Sequence, residues 1–266
     1  MSLRLALFAP NSPTLIGDIG VDHQASIHAL RQLSEQLYGI EAVLTVSPHF
    51  VTPHTFAIDI RPQIPQIFDF FGFPESFYQV SYTPPGHPAL AQELLGLAQK
   101  HSLPLLSTDQ WGLDHGAWSA LLHLAPQATI PVIPLSIAPD LGPAAHEQLG
   151  HLISQLAQNH ELALICTGSI IHRLDLFQMG RTAPPQAYEY LEQVKKAWKA
   201  GSWQSLWAIP ERLRQAAAPE GGEAPLRVLA GAIGEPFSVQ ILVEEEDFGA
   251  ASMTIALFTP ASTRTS

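Results

Sequence analysis

Short apolar runs alternate with helical patterns along the first two thirds of the chain, and this alternation constrains the fold more than any other feature. The runs are rich in Leu, Ile and Val and end near Pro, Gly or Ser: LRLALFA, EAVLTVS, IPVIPLSI and LALICTGS. Runs of this kind are typical of strands buried at the centre of a sheet. The segments between them repeat apolar residues at spacings of three and four, which indicates amphipathic helices. The order strand, helix, strand predicts βαβ units and an α/β fold.

The last third of the chain has a different pattern. Helical periodicity continues through PPQAYEYLEQVKKAWKAGSWQSLWAI, PERLRQAAA and PLRVLAGAI, and then FSVQILVEE and ASMTIALFTP alternate like antiparallel strands. We therefore predict a central mixed sheet that is mostly parallel, has antiparallel strands at its C-terminal end, and is flanked by helices on both faces. We expect a single domain over residues 1–260, followed by a polar tail over 261–266.

Composition excludes several classes of function. Hydrophobic residues make up 46% of the chain and charged residues 14%, so the chain can bury a sizeable core. The formal net charge of −11 argues against nucleic-acid binding, which needs clustered Lys and Arg. No apolar stretch reaches the ~18 residues that a membrane span needs. The single cysteine, Cys166, lies in an apolar run, which predicts a buried, inert thiol and favours a cytoplasmic protein. From the charge and the short apolar stretches we expect that the protein binds neither nucleic acid nor membrane.

Histidine and carboxylate residues follow several of the predicted strands. The candidates are His49, Asp114, His115, His172 and Glu223. Each alone has a structural explanation: a hydrogen-bonded histidine, an aspartate that forms a turn, or a glutamate that favours a helix start. Ligand sites in open α/β sheets form at the carboxyl ends of the strands, so the candidates together indicate one site at one edge of the sheet.

This set of side chains suits one chemistry in particular. Two neutral donors and one carboxylate on one face of a divalent iron leave three positions open for a bidentate substrate and dioxygen. A further histidine can then move protons. The pattern therefore favours a non-haem iron site.

Four segments resemble a known family, and they occur in the family's order: FDFFGFPESFYQVSYTPPGHPALAQEL, GLDHGAWSALLHLAPQATIPVIPLSI, TGSIIHRL and GGEAPLRVLAGAIG. They are similar to the class III extradiol ring-cleavage dioxygenases, a superfamily of catalytic B subunits that also contains DOPA 4,5-dioxygenases and the Memo proteins. The similarity covers most of the chain.

The resemblance assigns a role to individual residues. It implies that Asn11, His49 and Glu223 stand at the metal-ligand positions, where ring-cleaving members have His in place of Asn11. It also implies that His172 is the acid/base residue and that His115 orients the substrate or the oxygen. An asparagine amide is a weaker ligand than an imidazole, so Asn11 is the departure from the family pattern.

Two functions are therefore expected from the resemblance. The first is a non-haem Fe(II)-dependent extradiol dioxygenase, with dioxygen as co-substrate, acting on a catechol-like or aminophenol-like ring. The second is a metal-poor relative, like the Memo proteins, that binds a ligand or peptide in the same cleft. Because of Asn11, Fe(II) is expected to be bound weakly, absent or replaced by another divalent metal.

We also expect particular contacts around the site. Four aromatic residues are candidates for the wall of a ring-shaped pocket: Phe50, Phe71, Phe73 and Trp118. The expected partners are a small aromatic substrate and either further copies of this chain or a small helical subunit.

Overall fold

The computed structural model describes residues 3–17, 19–20 and 23–261. Its strands form one eight-stranded sheet in the order β4-β3-β5-β2-β6-β1-β8-β7. The strands are β1 Leu5–Ala9, β2 Ala42–Val51, β3 Phe56–Asp59, β4 Leu105–Thr108, β5 Val132–Ile137, β6 Leu162–Thr167, β7 Phe237–Asp247 and β8 Ala251–Pro260. Of the predicted polar tail, residues 262–266 lie outside the described residues.

The strand directions confirm a mixed, mostly parallel sheet. The central strands β5, β2, β6 and β1 run parallel to one another, whereas β8 is antiparallel to β1 and β7 is antiparallel to β8. The sequence pattern did not predict β3 and β4, which pair in parallel with each other and antiparallel to β5. Each has four residues, and Leu106 in β4 is exposed, so neither strand gives the continuous apolar run that marks a central strand.

Helices cover both faces of this sheet, as predicted. They are α1 Gln24–Leu33, α2 Pro88–Lys100, α3 His115–Leu124, α4 Gly142–Leu156, α5 Leu174–Gln178, α6 Pro185–Lys199, α7 Trp203–Trp207, α8 Glu211–Ala217 and α9 Ala224–Ile233. Side chains alternate across β1, so Ala6 and Phe8 belong to one core cluster while Leu5 and Leu7 belong to the other. The cluster of Phe8 includes residues of α2, α4, α6 and α9, and the cluster of Leu7 includes residues of α1 and α3.

Two glycines allow α4 and α9 to pack backbone against backbone. A Cβ atom added to Gly150 would lie 2.0 Å from the carbonyl oxygen of Val228, and one added to Gly231 would lie 1.9 Å from that of Glu147. Both distances are impossible for real atoms, so any side chain at these positions would push the helices apart. This contact fixes α9 and therefore the turn that precedes it.

The parallel arrangement brings the carboxyl ends of β1, β2 and β6 to one edge of the sheet. The chain therefore places Asn11, His49 and the segment after β6 side by side, although they are far apart in sequence. None of the helices among the described residues is long and apolar enough to cross a membrane.

Candidate active site

Glu220 lies at the centre of a cleft at this edge of the sheet. It occupies the turn Glu220–Glu223 that leads into α9, and Gly221, Gly222 and Glu223 adopt left-handed backbone conformations with φ of 60°, 60° and 68°. Glycine adopts this conformation without strain, and the reversal it produces turns the Glu220 side chain toward the strand ends. The Glu220 backbone N–H donates to the carbonyl of Ser169 over 3.0 Å, and the Ser169 N–H donates to Glu220 Oε2 over 3.1 Å.

Three side chains from three strand ends converge on Glu220 Oε1. Asn11 Nδ2 donates to this oxygen over 2.8 Å, His49 Nε2 lies 3.2 Å from it, and His172 Nε2 lies 3.7 Å from it. Burial alone would raise the pKa of Glu220, but the contact with His49, the charges of both histidines and the Asn11 amide together lower it to about 2. Glu220 therefore carries its charge throughout the physiological range.

Asp69 links two of the cleft histidines, His49 and His115, from behind. One carboxylate oxygen lies 3.1 Å from His49 Nδ1 and the other lies 2.9 Å from His115 Nδ1, while the His115 backbone N–H donates to Asp69 Oδ1 over 2.8 Å. Desolvation favours the neutral form of Asp69, but the contacts with His115 and His49 hold its pKa well below its usual range. The charged Asp69 therefore faces the Nδ1 side of both rings, and the Nε2 atom of His49 faces the cleft, 3.2 Å from Glu220 Oε1.

His49 is held between two carboxylates. Burial opposes its positive charge, but the contacts with Asp69 and Glu220 outweigh burial and raise its pKa to about 10. Its ring also meets the ring of His115 edge to face, with 4.2 Å between the centroids. In the absence of a metal ion, His49 is therefore a half-buried cation shared by Asp69 and Glu220.

Asp114 fixes the end of β2 from below the cleft. Its Oδ1 accepts from Ser47 Oγ over 2.6 Å and its Oδ2 accepts from Trp111 Nε1 over 3.1 Å. Burial and the nearby charge of Asp69 raise the pKa of Asp114. Gly116 is required beside it, because an added Cβ would lie 2.4 Å from Ser47 Oγ and 2.9 Å from the His49 ring.

Aromatic side chains form much of the cleft, which has a volume of about 310 Å³. Phe71 and Phe73 line it as predicted, together with Phe70 and Phe248. The other two predicted wall residues lie elsewhere: Phe50 stacks on Trp111, and Trp118 is buried in the core with its indole N–H on the carbonyl of Ile67. A cleft of this size and lining suits a small planar ligand.

Comparison with known proteins agrees with this geometry. Over residues 11–258 the chain matches the family described as the catalytic LigB subunit of aromatic ring-opening dioxygenase. The chain belongs to this family. It is 30% identical over 236 residues to a 4,5-DOPA dioxygenase extradiol of Beta vulgaris, which covers 82% of this chain and 83% of that protein. It is 35% identical over 158 residues to a 4,5-DOPA dioxygenase extradiol of Escherichia coli K12, and this match spans 58% of the chain and 57% of that protein.

A solved structure has the same fold. The crystal structure of an uncharacterized Escherichia coli K12 protein superposes with a TM-score of 0.74 at 24% identity, covering 95% of this chain and 98% of the other. This likeness shows the LigB-type fold. Membership of the LigB family, together with relatives named extradiol dioxygenases, supports an extradiol dioxygenase-type function for the chain.

The structure brings four of the five predicted site residues together. Asn11, His49, His115 and His172 all line the cleft. Glu223 does not: it is buried beyond the turn, where its carboxylate accepts from Arg214 Nε over 2.9 Å and from the hydroxyl of Tyr190. The reversal at the two glycines separates the two glutamates, so Glu220 faces the cleft and Glu223 anchors the turn to α6 and α8.

Sequence reasoning missed Glu220 and Asp69. Both glutamates flank the same pair of glycines, and only the backbone conformation decides which one faces the cleft. Asp69 is the acidic residue within the aromatic run FDFFGF, and a charge placed among aromatic side chains was the available signal.

The groups around Glu220 fit a divalent metal ion. The separations of 2.8 Å and 3.2 Å that join Asn11 and His49 to Glu220 are close to the ~3 Å between neighbouring ligands of an octahedral ion with bonds of about 2.1 Å. Such an ion accepts an imidazole nitrogen, a carboxylate oxygen and an amide oxygen as ligands. The Asn11 amide, whose nitrogen faces Glu220 in this structure, can turn to present its oxygen to the ion.

A second group of donors shares His49. The ligand atoms of His49, Asp69 and His115 lie within 4.8 Å of one another and could also hold a metal ion. However, Asp69 is not among the residues that line the cleft, whereas Asn11, His49 and Glu220 all line it. We therefore favour the group around Glu220, with Asp69 and His115 supporting it.

Proposed function

We propose that this protein is a non-haem Fe(II)-dependent extradiol dioxygenase that opens a catechol-like or aminophenol-like ring. The observation that carries the proposal is the convergence of Asn11, His49 and Glu220 beside His172 in an aromatic cleft. Iron bound by the first three residues would supply a place where a diol and dioxygen meet. The family membership supports the same reaction class.

His172 is the proposed acid/base residue. It lines the cleft and its side chain is one-third exposed, so a substrate hydroxyl can reach its ring. Its backbone is fixed on two sides, because its N–H donates to the carbonyl of Ala217 over 2.9 Å and it bridges to Ala251 of β8. A histidine held in this way can take a proton from a hydroxyl and return it during ring opening.

His115 is proposed to orient the substrate. It is buried, it lines the cleft, and its Nδ1 lies 2.9 Å from Asp69 Oδ1. The other ring nitrogen, Nε2, is the atom proposed to contact a substrate oxygen. The aromatic wall, of which Phe70 is a buried member, would keep water away from the ring during the reaction.

The experiment that tests the proposal is anaerobic reconstitution with Fe(II), metal analysis, and then exposure to air with a simple diol such as catechol. We expect near-stoichiometric iron and a ring-opened product that has a new visible absorption band. His172→Ala should abolish product while iron stays bound, because this residue moves a proton and is not a ligand. Loss of iron together with activity in that variant would make His172 a ligand and contradict its assigned role.

A second candidate function follows from the contacts of Asn11. Its amide donates to Glu220, and His49 pairs with the same carboxylate, so these groups satisfy one another without a metal ion. This observation favours a metal-poor protein that binds a ligand or peptide in the cleft. A folded protein that takes up no iron from excess Fe(II) would support this second function and contradict the first. The assembly state, either a homo-oligomer or a complex with a small helical subunit, stays a prediction.

A further inference from the structure

Apolar side chains form most of the cleft wall outside the groups already described. Seven of its lining residues have apolar side chains, namely Pro13, Phe70, Phe71, Phe73, Leu174, Phe248 and Ala251. Phe71 is 88% exposed and therefore stands at the mouth, whereas Phe70 is buried. A substituent on a ring bound in this cleft would meet these side chains.

The one further carboxylate in the cleft lining is already compensated. Asp247 is 1% exposed, its Oδ1 lies 2.6 Å from His23 Nε2, and its Oδ2 accepts from Thr14 Oγ1 over 2.9 Å. Burial lowers the pKa of His23, but its contacts with Asp247 and Glu245 outweigh burial and raise it. Both carboxylate oxygens of Asp247 therefore already have a partner within the protein.

In this cleft the diol would occupy the proposed iron, so a carboxylate elsewhere on the ring would face the wall, where no Lys or Arg side chain among the described residues could pair with it. No Lys or Arg occurs among its lining residues, all of which belong to the described part of the chain. Arg173, which follows His172, is turned away: its guanidinium donates to both carboxylate oxygens of Asp175 over 2.9 and 2.8 Å and to the carbonyl of Ala216 over 2.9 Å. His49, which also lines the cleft, already contacts the carboxylates of Asp69 and Glu220.

We propose that the cleft selects a diol ring with an uncharged, apolar substituent and discriminates against a carboxylated ring. This inference rests on the proposed function and names the substrate class of the same site. Burial of a carboxylate beside an aromatic wall is unfavourable unless a cation pairs with it, whereas a methyl group gains contact with Phe71, Leu174 or Phe248.

The test is the binding of three ligands to the Fe(II)-loaded protein under nitrogen, measured by isothermal titration calorimetry. The ligands are catechol, 4-methylcatechol and 3,4-dihydroxybenzoate, which differ only in one substituent. We expect 4-methylcatechol to bind about fourfold more tightly than catechol, as one added methyl group predicts, and 3,4-dihydroxybenzoate to bind at least about tenfold more weakly. If 3,4-dihydroxybenzoate binds as tightly as catechol, the inference is overturned while the proposed function stands. If none of the three binds, both are overturned.

A charge added to the wall should reverse the preference. Leu174→Arg should tighten the binding of 3,4-dihydroxybenzoate relative to catechol by about tenfold or more, and Leu174→Gln, which adds polarity without charge, should not. Phe71→Arg provides a second variant at an exposed position that does not disturb the core. If both arginine variants fold and neither changes the ratio, wall charge does not determine selectivity and the inference is wrong.

Discussion

Replacement of each glutamate of the turn by glutamine should distinguish the proposed metal ligand, Glu220, from the residue that anchors the turn, Glu223. Glu220→Gln and Glu223→Gln are the same isosteric change, three residues apart, and each removes one negative charge. The structure predicts different consequences, because Glu220 faces Asn11 and His49 whereas Glu223 faces Arg214 and Tyr190.

Glu220→Gln should weaken metal binding strongly and keep the fold. The variant exchanges the charged oxygen that Asn11 and His49 share for a neutral amide, so we expect metal affinity to fall by about a hundredfold, or about 2.7 kcal/mol. The hydrogen bond from the Ser169 N–H can persist, because the glutamine carbonyl is also an acceptor.

Glu223→Gln should instead lower stability. Glu223 is 4% exposed and the Arg214 side chain is 20% exposed, so the variant leaves a partly buried guanidinium without its main partner. A broken buried ion pair costs about 3–5 kcal/mol, and we expect the lower end, about 3 kcal/mol, because Arg214 keeps its contact with Glu211 over 2.9 Å. This loss corresponds to a fall in Tm of roughly 6–10 °C. Metal affinity should stay within about fivefold of the parent protein.

The assays are competition with a chromophoric chelator under nitrogen for Fe(II) affinity, and thermal unfolding with chelator present for stability. Each variant is the control for the other. If Glu223→Gln loses the metal and Glu220→Gln retains it, the assignment of Glu220 as the ligand is refuted.

Three further outcomes are expected. Asn11→His should raise Fe(II) affinity by about tenfold or more in the same competition assay, because imidazole is a stronger donor than an amide; unchanged affinity would mean that position 11 does not contact the metal. Gly150→Ala should lower the free energy of unfolding, measured in urea, by about 3 kcal/mol or more, because its Cβ would clash with the backbone of α9. Gly96→Ala on α2, where nothing lies within 4 Å of the added Cβ, should raise it by about 0.5–1 kcal/mol. Equal effects would contradict the packing of α4 against α9. In metal-free protein, the raised pKa of His49 stabilises the fold fully below about pH 6.5, and this stabilisation is lost as pH rises through about 10. The lowered pKa of Glu220 stabilises the fold fully above about pH 4.5, and this stabilisation is lost as pH falls through about 2. Urea unfolding at several pH values should therefore show a loss on the order of 3 kcal/mol between pH 6.5 and 10, which Glu220→Gln should reduce.

Strand order was enough to predict most of the cleft. Asn11 and His172 follow β1 and β6, and His49 lies near the end of β2. These strands run parallel and end at the same edge, so the proximity of the three residues could be inferred from the sequence. The same expectation, that residues after strands lie at one edge of the sheet, placed His115 in the cleft correctly, but the strand before His115 does not end at that edge. The strand before it, β4, is antiparallel to the central strands through β3, so residues 109–114 must carry the chain to the cleft.

The choice between Glu220 and Glu223 could not be made from the sequence. Both residues flank the glycine pair, and side-chain direction there depends on three consecutive left-handed residues, one of them not glycine. Local propensity does not predict a left-handed glutamate; tertiary contacts impose it, here the burial of Glu223 against Tyr190 and Arg214. Asp69 was missed for a related reason, since a loop residue has no periodicity that would indicate which way it faces.

The most direct measurement is the fate of labelled oxygen. The Fe(II)-loaded protein would be mixed with 4-methylcatechol under ¹⁸O₂ and the product analysed by mass spectrometry. An extradiol dioxygenase inserts both oxygen atoms into the ring-opened product, so the product should carry two labelled atoms, and His172→Ala should yield none of it. A folded, iron-loaded protein that gives no ring-opened product, or gives only an unlabelled quinone, would contradict the proposed function.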